Sequence, residues 1–167
     1  MKRVRRFVRT GGQSLQPDLL NAAALKLILQ GLIVCVGISL TACKQAEVKP
    51  MEITQNDICF RCKSPIADKH YAAELVTKDG FVRKFDDISC MLEHAKGKIG
   101  KGNIVAYYAT DFPTQQWVKA EEAFFVKSDK FQTPKNGGIL AFKDQAKAQA
   151  LASQYQAQQI AFSDLLK

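Results

Sequence analysis

Between residues 57 and 111, the order of hydrophobic and polar positions predicts two strands, a helix and a third strand. Asp79 and Gly80 separate the first two extended runs, and this dipeptide is typical of a β-hairpin. Asp86 or Asp87 can cap the helix, because an acid there accepts hydrogen bonds from the free amides of the first turn, and glycines 97 and 100 end it. The predicted strands cover residues 71–77, 81–85 and 104–110, and the predicted helix covers residues 88–96.

Residues 112–167 repeat this order of elements without repeating the residues themselves. An amphipathic link at residues 117–123 comes first. The predicted strands then cover residues 124–126, 138–142 and 160–162, and the predicted helix covers residues 143–155. The pattern therefore predicts an α+β fold of two small similar ββαβ-type halves, residues 57–111 and 112–167, each a short, mostly antiparallel sheet with one helix.

The first 42 residues have the parts of a secretory signal: a basic start at residues 2–9, an apolar run at residues 27–40 and small residues before Cys43. The apolar run is short for a spanning helix, which needs about 20 residues. The sequence Leu-Thr-Ala-Cys at positions 40–43 resembles the bacterial lipobox, which implies cleavage before Cys43 and lipidation of its sulfur. An uncleaved transmembrane anchor is the alternative. Residues 43–56 are polar and are predicted to form a tether.

The formal net charge of +8 is concentrated in this first segment, because residues 1–42 contain six basic residues and one acid. The remainder is close to neutral and lacks the clustered basic pattern that binds phosphates, so no nucleic-acid partner is expected. An exported, lipid-anchored domain would lie at the periplasmic face of a bacterial membrane. In that oxidising compartment the three thiols of Cys59, Cys62 and Cys90 are odd in number, so one is unpaired or a metal binds them.

These three cysteines form a candidate metal site together with Met91 and His94. Cys59 and Cys62 have the CxxC spacing, which allows both sulfurs to reach one metal ion or each other. Cys90 lies near the predicted helix start, where the helix dipole is expected to lower the pKa of its thiol. His94 lies one turn further on the same helix face, whereas Met91 reaches the site only if the helix begins late.

Four interpretations of these residues remain open. Cys59 and Cys62 can form a disulfide with Cys90 as a buried thiol, or the CxxC pair can have a redox role. Cys59, Cys62, Cys90 and His94 have the number and type of ligands for a closed zinc site. Thiolate, thioether and imidazole ligands also suit Cu(I), which is soft and accepts a low coordination number.

Several separated motifs occur in an order that resembles the NosL family of copper-binding lipoproteins. They are D-x-C-x-x-C from Asp57, D-x-x-YAAE with K-D-G, F-D-D-I-x-C-M, Y-x-x-D, W-x-x-A-x-x-A and S-x-K-x-x-TP, and the resemblance extends from about Asp57 to Leu166. The resemblance implies two similar ββαβ-type halves, a fold shared with the organomercurial lyase MerB. It implies delivery of Cu(I) to periplasmic nitrous oxide reductase while its copper centre is assembled, and no catalytic activity.

Carried over residue by residue, the resemblance places Cys59 and Cys62 on the two cysteines of D-x-C-x-x-C. It places Cys90 and Met91 on the C-M pair that ends F-D-D-I-x-C-M. Ser64 and Lys135 occupy two positions where the family commonly has methionine. We therefore expect a lipid-anchored Cu(I)-binding protein with metal ligands among Cys59, Cys62, Cys90, Met91 and His94. Its expected partners are the membrane, through Cys43, and a copper-accepting periplasmic enzyme or its assembly complex.

Two other classes of protein are alternatives. The first is a structural lipoprotein that docks on a membrane partner and is stabilised by a Cys59–Cys62 disulfide or a Cys/His zinc site. The second is an enzyme that cleaves carbon–mercury bonds, suggested by the related fold and by a thiol beside acids.

Overall fold

A computed structural model describes residues 48–97 and 102–167 of the chain. The predicted signal, the lipidation site Cys43 and Gly100 lie outside the described residues. None of the described helices is long and apolar enough to cross a membrane. The strands are β1 (Ala73–Thr77), β2 (Val82–Phe85), β3 (Ile104–Thr110), β4 (Trp117–Lys119), β5 (Phe124–Lys127), β6 (Ile139–Phe142) and β7 (Gln158–Ile160), and the helices are α1 (Ile88–Lys96), α2 (Gln145–Tyr155) and α3 (Phe162–Leu165).

The first sheet has the strand order β2-β1-β3-β4, and each neighbouring pair is antiparallel. Ala73 pairs with Phe85, and successive side chains of a strand point to opposite faces, so Ala73, Leu75 and Phe85 share one face. This face packs in a buried core with Ile88 and Met91 of α1. Helix α1 therefore covers the apolar face of the first sheet.

The second sheet has the order β6-β5-β7, again antiparallel, and so repeats the ββαβ connection of the first. Phe142 ends β6 and packs with Ala148 and Ala152 of α2, which covers this face. The opposite face, which bears Phe125 and Ile139, packs in the same core as α1. The prediction of an α+β fold with two small similar halves is confirmed.

Two expected elements differ from those found. The link predicted at residues 117–123 contains β4, which pairs with β3 and buries Val118; three residues are too few to reveal a period-2 pattern. The last strand covers Gln158–Ile160 rather than residues 160–162, because Phe162 begins α3. The sequence pattern divides the halves at residue 111, and that division stays a prediction, although β4 lies beyond it and belongs to the first sheet.

Residues 48–53, which we call the N-terminal strap, lie against the face of the first sheet that α1 does not cover. The Met51 amide donates to both carboxylate oxygens of Glu74, at 3.1 Å each. Tyr108 donates its hydroxyl to the carbonyl of Val48. Ile53 is buried in a small cluster at this face. The described part of the predicted tether is therefore fixed to the domain.

Candidate metal centre

The CxxC segment forms a tight loop held by its own backbone. Ile58 and Pro65 form an antiparallel bridge, and the Cys59 amide donates to the Ser64 carbonyl at 2.8 Å. Lys63 closes the turn with a left-handed φ of 64° and donates its amide to the Cys59 carbonyl. The loop is tied to β2, because the amide of Phe60 donates to a carbonyl of that strand. These contacts direct both cysteine side chains toward the start of α1.

A corner between β2 and α1 supplies the opposite side of the site. Asp87 caps α1 and accepts hydrogen bonds from the amide and hydroxyl of Ser89, at 2.8 and 2.7 Å. It also accepts from the Thr133 hydroxyl at 2.6 Å and the Lys135 amide at 2.8 Å, so it fixes a loop of the second half to this corner. The predicted acidic cap is present. Cys90 follows in the first turn of the helix.

Four side chains meet where the loop faces the corner: Cys59, Cys62, Asp86 and Cys90. Each offers one ligand atom, and these four atoms all lie within 4.8 Å of one another. Cys59, Asp86 and Cys90 are buried, whereas Cys62 is half-buried. All three cysteines are free thiols, so Cys59 and Cys62 do not form a disulfide in this structure.

Asp86 is the member of this group that sequence reasoning missed as a possible ligand. The FDD motif identified it as a turn residue and a candidate cap. The cap belongs to Asp87, which leaves the Asp86 carboxylate free to face the thiols; the Cys62 thiol lies 3.4 Å from both of its oxygens. The sequence did contain a signal for this role. Asp86 directly precedes the cap and lies four residues before Cys90, so both residues are at the start of the same helix.

The three thiols differ in acidity. Burial raises the pKa of Cys90 and of Cys59, and for Cys90 the neighbouring Cys59 and Asp86 raise it further. The expectation that the helix start lowers the pKa of Cys90 is therefore wrong, because desolvation outweighs the helix dipole at a buried sulfur. Burial also raises the pKa of Cys62, but hydrogen bonds from the hydroxyl and amide of Ser64 lower it overall. Cys62 is thus the most acidic and the most accessible thiol of the group.

Met91 and His94 lie in other surroundings. Met91 is fully buried in the core that also contains Cys59 and Cys90. His94 is not part of the four-residue group. Its ring packs against Phe60 and Phe85, with ring centroids 5.1 and 5.7 Å away. Burial lowers the pKa of His94, with a further contribution from nearby arginines, so the imidazole is neutral at pH 7. The assignment of both residues as ligands stays a prediction.

Ser64 and Lys135, the two positions without methionine, contact each other at the edge of the site. The Lys135 ammonium donates to the Ser64 hydroxyl at 3.0 Å, and charge on Cys62 raises the pKa of Lys135. Ser64 in turn donates to the Cys62 sulfur. A cation and a hydroxyl therefore lie beside the most accessible thiol, where they favour its anionic form.

Comparison with known proteins identifies the fold and the family. The family model NosL matches residues 50–167. A solved structure of the copper chaperone NosL from Shewanella denitrificans matches with a TM-score of 0.63 and 17% sequence identity, over 70% of this chain and 94% of that one. A search of curated proteins gave no match. Because the family model covers more than half of the chain, including both halves of the fold and all four clustered residues, the protein belongs to the NosL family.

Proposed function

We propose that the protein binds Cu(I) at the cluster of Cys59, Cys62 and Cys90 and passes it to an acceptor, as a copper chaperone. The observation that carries this proposal is the convergence of three free thiols and one carboxylate within 4.8 Å. Thiolates are the ligands that Cu(I) prefers among protein side chains. Membership of the NosL family supports the same role, and the solved relative from Shewanella denitrificans is described as a copper chaperone. The proposed role is transport of a metal ion and not catalysis.

The different acidity of the thiols suggests an order of loading. Cys62 is half-buried and its pKa is lowered, so it is the sulfur of the three that an incoming ion reaches first and that loses its proton most readily. Cys59 and Cys90 are protonated at neutral pH and must lose their protons to water as they bind the metal. Release reverses these steps: a ligand of the acceptor binds the copper at the Cys62 side, and returning protons compete for the buried sulfurs.

A competition titration tests copper binding. The full chain, purified anaerobically in a nonionic detergent, is titrated with Cu(I) against bathocuproine disulfonate. We expect the double variant Cys59→Ser/Cys90→Ser to lose more affinity than the roughly 10–100-fold typical of changes outside the ligand shell. The affinity of the unchanged protein should rise with pH, because binding releases protons.

The matched control uses the equivalent corner of the second half. Lys147 is the third residue after the cap Asp144, as Cys90 is the third after Asp87, and it lies outside the thiol group. Lys147→Ser should bind copper like the unchanged chain. The proposal would be refuted if the unchanged protein bound Cu(I) more weakly than the chelator does. It would also be refuted if the double-cysteine variant bound Cu(I) as tightly as the unchanged protein.

A zinc site is the second candidate, because three thiols and a carboxylate provide the four ligands of a tetrahedral centre. Asp86 supplies the fourth atom of the group in the structure. The zinc site expected from the sequence has His94 as its fourth ligand, and His94 is outside this group. Native mass spectrometry of the protein as isolated separates the two candidates. Stoichiometric zinc that Cu(I) fails to displace would favour the structural site.

We further propose that lipid on Cys43 anchors the protein at the periplasmic side of a bacterial membrane and that its client is nitrous oxide reductase. The signal-like residues 2–9 and 27–40, the sequence at 40–43 and the family resemblance support this proposal. One experiment addresses both points: cells carrying Cys43→Ala are fractionated and their nitrous oxide reductase is analysed for copper. We expect the variant to lack the acyl chains and the reductase to contain less copper. A mass of the unchanged protein that shows no acyl chains on Cys43 would contradict the anchor, and an unchanged copper content of the reductase would contradict its assignment as the client.

A further inference from the structure

We propose that the surface around Phe60 is the docking face for an acidic surface of the protein that accepts the copper. This Phe60 face consists of Met51, Ile58, Phe60, Lys63 and Arg83. The inference rests on the proposed function, since it concerns how the copper leaves the thiol cluster, and it goes beyond it by assigning the surface and the charge of the partner.

Apolar side chains at the centre of this face are exposed next to the buried thiols. Ile58 and Phe60 flank Cys59, with Ile58 in the bridge to Pro65 and Phe60 in the turn of the CxxC loop. Cys59 is 0% exposed, while Ile58 is 55% exposed and Phe60 37%. Met51, on the N-terminal strap, is 54% exposed and lines the same shallow depression of about 350 Å³. Adjacent exposed apolar residues of this kind are typical of a binding surface.

Positive charge lies over the apolar centre, and its electrostatic effect reaches the Asp79 carboxylate without an ion pair. The Lys63 ammonium lies 4.8 Å from the centroid of the Phe60 ring, and the Arg83 guanidinium carbon lies 4.2 Å from it. Neither forms an ion pair with a carboxylate within residues 48–97 and 102–167. Two cations on one ring, neither of them in an ion pair within the described residues, fit carboxylates of a partner.

Neighbouring cations differ from these two. Arg61 is paired with Glu93 at 2.7 Å, and Lys84 is paired with Asp57 at 2.8 Å. Arg61 of the loop and Lys84 of β2 are therefore in ion pairs, whereas Lys63 and Arg83, which lie over the Phe60 ring, are not. This contrast indicates charge complementarity to an external acidic surface and distinguishes the face from an ordinary solvated one.

The face is also correctly placed for transfer of the metal. Cys62 follows Phe60 by two residues and is the half-buried thiol of the three. Lys135, which donates a hydrogen bond to Ser64, adds a further cation near that sulfur. A partner held at Phe60 therefore has its own metal ligand beside Cys62. An anionic lipid bilayer would match the charge as well, but it would cover the thiol from which the acceptor takes the ion, so we favour a protein surface.

The test compares two acceptor peptides with the same Met-rich Cu(I)-binding sequence, one flanked by Asp and the other by Ser. The full chain is reconstituted in phosphatidylcholine vesicles and loaded with Cu(I), and transfer is followed by stopped-flow mixing. We expect the Asp-flanked peptide to take copper about tenfold faster at low salt and the preference to disappear at high salt. Lys63→Glu/Arg83→Glu should abolish the preference without changing transfer to the Ser-flanked peptide.

The control variant Lys143→Glu/Lys147→Glu changes the net charge equally, at exposed positions at and near the start of α2. It should retain the preference. Equal transfer rates to the two peptides, or equal loss in both variants, would overturn the docking face while leaving copper binding intact. Failure of the unchanged chain to load copper would instead refute the proposed function. Repetition in phosphatidylglycerol vesicles addresses the membrane: transfer blocked by the anionic lipid alone would overturn the inference in favour of a lipid-facing surface.

Discussion

The two halves of the molecule contain the same strand-to-helix corner, and only one of them carries chemistry. In the first half β2 ends at Phe85 and α1 begins after the cap Asp87. In the second half β6 ends at Phe142 and α2 begins after the cap Asp144. The corner sequences are Phe-Asp-Asp-Ile-Ser-Cys at residues 85–90 and Phe-Lys-Asp-Gln-Ala-Lys at residues 142–147.

The capping acid and the phenylalanine two residues before it are therefore parts of the fold, whereas two neighbours of the cap distinguish the first corner from the second. Asp86 and Cys90 face the CxxC loop, and both equivalent positions in the second half are exposed lysines. The strand-turn-helix unit provides the same geometry in both halves. The candidate metal site arises where that geometry presents a sulfur and a carboxylate to a second group of sulfurs.

The largest effect that separates the two corners concerns the caps themselves. Asp87 is buried and accepts four hydrogen bonds, two of them from the loop of the second half, whereas Asp144 accepts two from its own helix. Asp87→Ala should lower the free energy of unfolding by about 3 kcal/mol or more, because it leaves buried donors without partners. Asp144→Ala should cost about 1 kcal/mol, the usual effect of losing a cap. Urea unfolding at pH 7 measures both.

The conservative pair Asp87→Asn and Asp144→Asn controls for the loss of negative charge alone. Asparagine retains an acceptor at the cap and should recover most of the stability at Asp144 but less at Asp87, where it supplies one carbonyl oxygen to donors that reach both carboxylate oxygens. Equal losses at the two alanine variants would show that the inter-half hydrogen bonds add no stability beyond capping.

Much of the fold followed from sequence pattern, because the signals lie within a few residues of one another. The cap before α1 and the strand at residues 104–110 depend on local spacing, and both are present as predicted. The three-residue strand β4 was missed because its pairing with β3 is non-local. The acidity of Cys90 was predicted with the wrong sign for the same kind of reason: the helix start is visible in sequence, but the burial that outweighs it comes from side chains distant in the chain.

The halves also differ at the opposite face of their sheets. Ala73 pairs with Phe85 as Phe124 pairs with Phe142, so Glu74 of β1 is the equivalent of Phe125 of β5. Phe125 is buried against the first half. Glu74 is just as buried, but under the N-terminal strap, where it accepts the Met51 amide. The first half thus contains an acid where the second contains an aromatic ring.

A smaller, pH-dependent effect follows from this difference. Burial raises the pKa of Glu74 from 4.5 to about 7, with the Met51 amide and Lys84 opposing it. A carboxyl whose pKa is higher in the folded state binds more protons there, so its contribution to stability is full below about pH 4.5 and is lost as the pH rises to 7. Glu74→Gln, which is always neutral, should exceed the unfolding free energy of the unchanged protein by less than about 1 kcal/mol at pH 5 and by up to about 3 kcal/mol at pH 8.

Urea titrations at pH 5 and pH 8 measure this difference in unfolding free energy. Because the other titrating groups are present in both proteins, their contributions cancel in the comparison. Glu122→Gln, at an exposed acid of the turn after β4, is the matched control and should show no pH-dependent difference. Amide exchange at Met51 adds a local readout, because glutamine keeps an acceptor for that amide and the strap should stay protected at pH 8. A Glu74→Gln variant that is less stable than the unchanged protein at both pH values would mean that the ionised carboxylate holds the strap. Ionised Glu74 would then stabilise the first half, and the difference between Glu74 and the equivalent Phe125 would not lower the stability of the first half at high pH.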